Sequence, residues 1–373
     1  MNTSTGERSP PRVLLVIGGL EAGGSETQLT EFVLRAHPHR LHATVVTFGG
    51  AHTDRRARLE AHNVRVIALG TNDSRGLRYA ALTAARLLRR IHTVRPDVVY
   101  AWLEESALFA APAARLTGVP LVVARRNVIG ASFERRVRRL ASVVTAAERS
   151  AAQVTVNSEA GRVFAESRGI TADRITVIHN GHPGGPAEPL PPPAPFVFGY
   201  LSRFRPEKGH HRLLNVLERV ATPGGAPPWR VRLGGDGELL ETIIAAAAAR
   251  GLSDRLDLVG HVTDVPGFWR KCHVAVLLSD HEGQPNALIE AAMAGRAAIA
   301  TRVGGTPEVV APRGGVLVDP DNLDAAAAAF RRYLASPALA AADGQAARTQ
   351  AQARFAMAAS VEAQLDVLNA VRR

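Results

Sequence analysis

Two carboxylates dominate the chemistry this sequence can offer. The run His281-Glu-Gly-Gln-Pro-Asn-Ala-Leu-Ile-Glu290 sets Glu282 and Glu290 apart by seven residues. Pro285, a residue favoured in a helix's first turn, opens a helix after an apolar strand that ends at Leu278. A helix start presents free N–H groups and the positive end of the dipole, which suits a diphosphate. Glu290 then lies about five residues in, roughly 7–8 Å along the axis, while Glu282 stays in the preceding loop. A ligand with a phosphate at its centre would meet one carboxylate at each end. The alternative puts Glu290 on the outer face of an amphipathic helix. Its neighbours Ala287, Leu288, Ile289, Ala291, Ala292 and Met293 are all apolar, however, and a carboxylate in that company needs a partner.

Cations that match such a ligand stand in Gly199-Tyr-Leu-Ser-Arg203-Phe-Arg-Pro-Glu-Lys208-Gly209. Here a strand runs into a turn and a helix, placing Arg203 as a bidentate fork and Lys208 as a point charge for two phosphates. Only two lysines occur, Lys208 and Lys271, so a lysine inside this motif argues against a merely solvated pair. Near the N-terminus, Gly18-Gly19-Leu-Glu-Ala-Gly23-Gly24-Ser25 follows a strand, and Ser25 with Gln28 forms a capping box. The loop fits neither a Walker A sequence nor the dinucleotide spacing, and reads as a turn or an anion cradle. Gly234-Gly-Asp-Gly237 is open to the same two readings. Asp319-Pro-Asp321 spells a D-x-D metal motif but falls late, between a strand and a helix, and no metal site is expected.

The elements that position these groups repeat one alternation. Strands are expected at 12–17, 43–48, 64–68, 98–101, 121–124, 153–157 and 175–179, with helices at 26–36, 76–93 and 106–116 between them. Prolines crowd 183–195, which can extend neither helix nor sheet and reads as a linker. Alternation then resumes, with strands at 196–201, 229–233, 256–260, 275–278, 297–301 and 315–318. Helices fit 208–221, 239–250, 287–294 and 322–335, and one helical stretch fits 338–373. Two doubly wound α/β domains follow, facing across a cleft at the carboxyl ends of their strands. The expected division is 1–185, a linker at 186–195, a second domain at 196–355, and a terminal helix at 356–373 packing back on the first.

Charge and composition narrow the setting. Of 373 residues, 46% are hydrophobic, and Cys272 is the single cysteine, so no internal disulfide forms and a reducing cytoplasmic compartment is expected. The first apolar run, 13–17, is too short for a signal core, and no stretch approaches a spanning helix. Residues 1–185 hold 25 Arg against 15 acids, whereas the rest hold 20 basic and 19 acidic groups. That asymmetry points to an anionic partner such as the inner face of a membrane, or to an arginine-rich codon bias. The segment 133–140, basic at helical spacing beside Phe133, Val137 and Leu140, carries the same two readings.

With these residues in place, the stretch 274–310 resembles the donor site of glycosyltransferase family 4, retaining enzymes of GT-B fold. The resemblance rests on Glu282, Glu290 and the loop Gly304-Gly305-Thr306-Pro307-Glu308; it is strong after Phe196 and looser before. It implies that Glu282 contacts the transferred sugar and Glu290 the ribose hydroxyls. Gly283, Gln284, Pro285, Asn286 and Ala287 would line the diphosphate with backbone N–H groups, and Arg203 and Lys208 would reach it. Gly23 and Gly24 would stand beside the donor phosphate and acceptor. Where many members carry a histidine, this chain has Arg125-Arg126-Asn127, which assigns Arg126 and Asn127 to the acceptor or sugar side. Ser158-Glu159 and Asn180-Gly181 match an inter-domain edge and hinge of structural character. The implied reaction takes a sugar from a nucleotide-diphosphate donor to a glycan, lipid-linked or small-molecule acceptor, with no cofactor. A nucleotide-sugar epimerase of the same shape and a non-catalytic basic binding module are the rival readings; nucleic acid is not an expected partner.

Overall fold

The computed structural model describes residues 9–21, 23–50, 53–70, 76–126, 141–186, 189–192, 194–221, 228–310 and 312–372. Asn127 and the basic segment 133–140 lie outside them. The described residues form two compact units, one from those of 9–126, 141–178 and 358–372, the other from those of 179–357.

In the first unit, β1 (Arg12–Ile17), β2 (His42–Thr47), β3 (Arg65–Ala68), β4 (Val98–Trp102), β5 (Leu121–Arg125), β6 (Gln153–Val156) and β7 (Ile175–Val177) make one parallel sheet. Its order is β3-β2-β1-β4-β5-β6-β7. Every residue of β4 and β5 is buried, as expected for parallel strands covered on both faces. The second unit repeats the plan with β8 (Phe196–Leu201), β9 (Trp229–Gly234), β10 (Leu256–Gly260), β11 (Val274–Leu277), β12 (Ala297–Thr301) and β13 (Gly315–Val318), in the order β10-β9-β8-β11-β12-β13. All its pairings are parallel too. In each sheet the winding direction reverses once, between β1 and β4 and between β8 and β11. Loops leaving the two central strands diverge there and open a crevice at their carboxyl ends. The two doubly wound domains expected from the alternation are therefore present.

Four expectations need correction. The helix after the first glycine loop starts at Gly24 with Gly23 as its N-cap and no side-chain cap, so Ser25 lies inside the first turn and forms no capping box. The change of unit comes between Ile178 and His179 instead of after residue 185, because His179 and Asn180 bond to Gln284. The proline-rich segment is not a free linker. Arg348 bonds the Gly185 and Pro186 carbonyls, Arg296 Nη2 donates to Pro189 O at 2.8 Å, and the His273 ring meets Pro192 O at 3.1 Å. Finally, the alanine-rich C-terminus is two helices, Pro337–Arg354 and Met357–Val371. The break is held from afar: His182 N donates to Phe355 O at 2.8 Å and Met357 N to His182 O at 3.0 Å. Within the first unit the last helix carries Glu362, on which Arg40 forks, and Arg372 donates to Ser9 O at 2.8 Å. No described helix is long and apolar enough to cross a membrane.

Candidate functional site

The crevice of the second sheet is built from the loops after β8 and β11. From Leu201 the chain passes through Ser202 and Arg203, makes a short 3-10 turn at Pro206–Lys208, and enters the helix His210–Val220. The glycine loop after β9 supports this path: Ser202 N donates to Gly234 O at 3.0 Å and Phe204 N to Asp236 O at 2.7 Å. A Cβ on Gly235 would stand 2.0 Å from Ser202 O, so backbone contact accounts for that glycine. His210 stacks on Phe204 with centroids 4.2 Å apart, and burial, helped by the charges of His211 and Lys208, pushes its pKa down to about 4. It is a neutral ring at neutral pH. Arg203 is half-buried, and its guanidinium has no hydrogen-bond partner among the described residues.

Across the crevice, Lys208 Nζ bonds Glu282 Oε1 at 2.6 Å, and Ser279 Oγ donates to the same oxygen at 2.7 Å. Ser279 is in turn held by Thr301 Oγ1, which donates to its carbonyl at 2.6 Å. Glu282 is buried, yet its Oε2 has no partner among the described residues. The main chain beyond it is set by the turn Gly304-Gly305. Gly305 N donates to both the Gly283 carbonyl at 3.0 Å and the Glu282 carbonyl at 3.4 Å. In a trans peptide N–H and C=O point in opposite directions. The N–H groups of Gly283 and Gln284 are therefore turned together away from that turn, and neither has a partner among the described residues. Gly304 makes this packing feasible: its φ is +48°, and a Cβ would sit 1.7 Å from Glu282 O.

The following helix, Asn286–Met293, has Pro285 as its N-cap. Pro285 has no N–H, so the expected row of donors is interrupted there and resumes with Asn286 and Ala287, first-turn groups that lack intrahelical acceptors. The side chain of Gln284 is already committed: Oε1 accepts from Asn180 N at 2.6 Å, and Nε2 meets His179 Nδ1 at 2.8 Å. Asn180 Nδ2 also holds Asn286 Oδ1 at 2.7 Å and Gln284 O at 3.2 Å. The main-chain donors of Gln284 and Asn286, and the Nδ2 group of Asn286, are left for a ligand. One turn on, Glu290 has no side-chain partner among the described residues. Although the residue is only half-buried, burial alone pushes its carboxyl pKa up to about 7.

The remaining expected residues stand in the first unit. Gly23 is extended, and its carbonyl accepts from Thr27 N and Oγ1 at 3.1 and 2.9 Å. Arg126 lies just past β5 with its guanidinium 4.4 Å from the Trp102 ring centre; burial lowers its pKa, and a bond to the Tyr100 hydroxyl opposes that. Its neighbour Arg125, 1% exposed, pairs with Glu148 at 2.8 Å and Glu104 at 3.2 Å. Sequence reasoning missed that triad, as well as Ser279, Thr301 and Tyr200. Only their nearness to singled-out motifs could have flagged them. Asp319 of the D-x-D sequence faces Arg302 at 3.7 Å, and no group of three or more His, Cys, Asp or Glu converges among the described residues.

Comparison with known proteins agrees with this architecture. The family model for glycosyl transferases group 1 matches residues 186–350, and that for Glycosyltransferase Family 4 matches 22–183. A glycogen synthase of Mycobacterium tuberculosis is 27% identical over 74% of this chain and 70% of its own length. A 2-deoxystreptamine glucosyltransferase of Streptomyces kanamyceticus is 28% identical over 69% of this chain and 73% of its own length. The match to the Vi polysaccharide biosynthesis protein VipC/TviE of Salmonella typhi, 28% identical over 57% of this chain, spans only 39% of that protein. Among solved structures, Anabaena HepE in complex with UDP-glucose superposes with a TM-score of 0.82 at 22% identity, covering 96% of this chain and 100% of that one. With both halves matched by models of one kind and two parallel α/β domains in order, the chain belongs to the family 4 type of glycosyltransferases, with the GT-B fold.

Proposed function

We propose that this protein is a retaining, metal-independent glycosyltransferase that draws a sugar from a nucleotide-diphosphate donor held by its second unit. The observation that carries the reading is Glu290: a half-buried carboxyl without a partner among the described residues, one turn beyond N–H groups that likewise have none there, in the same unit as the Lys208–Glu282 pair. Ribose hydroxyls would satisfy Glu290, and the N–H groups with Arg203 and Lys208 would take the two phosphates. The sugar would lie against Oε2 of Glu282. Fixed donors and cations aimed at the departing diphosphate stabilise the charge that grows in the transition state. The reaction then needs no metal. Glu282 orients the sugar and stabilises charge, and is not assigned as a nucleophile. UDP-hexoses are the first donors to try, because the solved neighbour HepE was captured with UDP-glucose. The acceptor class we assign is a glycan, a lipid-linked sugar or a small molecule.

UDP-, GDP- and ADP-sugars screened by thermal shift, followed by turnover assays in excess EDTA, test this. One donor class should raise the melting temperature, since a ligand of the folded state adds stability, and turnover should persist with chelator. No shift with any nucleotide sugar would sink the donor site. Activity lost in EDTA and restored by magnesium or manganese would remove the metal-free part. Donor isomerised without acceptor would favour the epimerase.

A further inference from the structure

Both the Lys208 and the Glu282 side chains extend from loops, and loops alone hold distances poorly. In this crevice the two loops are bolted together beneath the pair. Tyr200, fully buried on β8, accepts from Leu278 N at 3.0 Å and donates to Lys208 O, so one hydroxyl joins the roots of both loops. Burial, the foremost influence on this phenol, raises its pKa and keeps it protonated to donate. The carbonyl of Leu278 is held as well, by Arg212 Nη1 at 2.6 Å, while Arg212 Nη2 reaches Asp280 Oδ1 at 2.6 Å. Asp280 N donates to Glu207 O at 2.9 Å. Gly209 closes the gap: at φ +66° it abuts Leu278, whose carbonyl oxygen would be 1.9 Å from any Cβ there. Resting on the donor-site reading above, we propose that Tyr200 is a positioning residue whose hydroxyl fixes the separation of Lys208 Nζ from Glu282. The ammonium then gives one N–H to Glu282 and aims the other two at the donor phosphates.

Transfer is sensitive to such placement, since an error of about 1 Å can cost on the order of 10²-fold. Tyr200→Phe keeps the ring and deletes both bridges. It should lower kcat by about 10-fold to 10²-fold with KM for donor nearly unchanged. In a Lys208→Met background the same change should add almost nothing, because the two groups act as one. A second readout needs no turnover. With Lys208 and exposed Lys271 as the only lysines, 13Cε-lysine labelling gives two side-chain signals. Glu282→Gln identifies the Lys208 signal by displacing it; Tyr200→Phe should displace it too and leave Lys271 in place. Should Tyr200→Phe fail to fold, Arg212→Met removes the companion bonds and should act on the same signal. A Lys208 signal that stays at its wild-type position in a folded variant overturns the proposal, as does a rate loss additive with Lys208→Met. Wild-type protein inactive on every donor would refute the transferase reading, while the lysine spectrum would still decide the role of Tyr200.

Discussion

The carboxyl ends of the two sheets treat charge in opposite ways. At the end of β5, Arg125 is closed in: Glu148 and Glu104 pair with it, and the Phe164 ring lies 4.8 Å from its guanidinium carbon. Burial is the chief influence on Glu148 and raises its pKa, so the attraction of Arg125 only partly offsets the cost of desolvation. At the ends of β8 and β11, by contrast, Arg203, the second oxygen of Glu282, Glu290 and two main-chain N–H groups have no partner among the described residues. The first unit pairs Arg125 with its own carboxylates; the second leaves these polar groups in a crevice for water or a ligand to meet. Polar and charged groups that converge in a crevice without partners of their own mark where a ligand would find its contacts. Part of the arginine in the first half is therefore structural.

The largest expected effect breaks the closed end. Arg125→Met would strand two buried carboxylates, and chemical denaturation should show a loss of about 3–5 kcal/mol. If stability falls by less than about 1 kcal/mol, the triad is not a buried ion pair of this kind. The next falls on the open end. Glu282→Gln should slow single-turnover transfer by on the order of 10²–10³ and leave nucleotide affinity nearly unchanged. A variant that loses nucleotide affinity instead would put Glu282 on the nucleotide side and reverse the donor's orientation.

Most of the frame, and the two glutamates, were legible because they are local. Strands β1, β8, β10, β12 and β13 begin and end where the sequence pattern puts them. The short helices Val265–Arg270 and Thr306–Val309 escaped notice because one or two turns show no period, although each has a proline in its first turn. What stayed hidden depends on residues far apart in sequence. A boundary beside Phe355 was expected, but nothing in an alanine-rich run announces that His182 is the residue that holds it. The expected contact of Gln284 is its main-chain N–H, and that its side-chain amide is held by Asn180 and His179 could not be read from the motif. Lys208 was read as a phosphate cation, and its partner Glu282, 74 residues on, could not be seen from either motif.

A smaller effect sharpens the open end from its cationic side. Arg203→Ala should weaken nucleotide-diphosphate binding by about 10-fold or somewhat more, the worth of a charge-assisted bond, with the melting temperature of the empty protein unchanged. Titration calorimetry returning wild-type affinity would remove Arg203 from the phosphate site.

The smallest expected effect concerns Glu290 and is read through pH. Its folded pKa of about 7 lies above the ordinary value of 4.5, so the fold favours the protonated acid. Stability from this group is therefore full below about pH 4.5, falls as pH rises toward 7, and is level above. The whole span is roughly 3 kcal/mol at most, and less to the extent that the half-buried residue is reached by water. Glu290→Gln should accordingly be more stable than wild type at pH 8 and indistinguishable from it near pH 4.5. A nucleotide reverses the balance, because ribose hydroxyls donate to a carboxylate and favour its charged form. Binding should then release a proton at pH 6, with affinity rising toward pH 7. Calorimetry in two buffers of different ionisation enthalpy reads that proton directly. Glu290→Gln should bind more weakly and release none. Wild-type binding that moves no proton at pH 6 would mean that the ribose does not meet Glu290, and that the carboxylate's missing partner lies elsewhere.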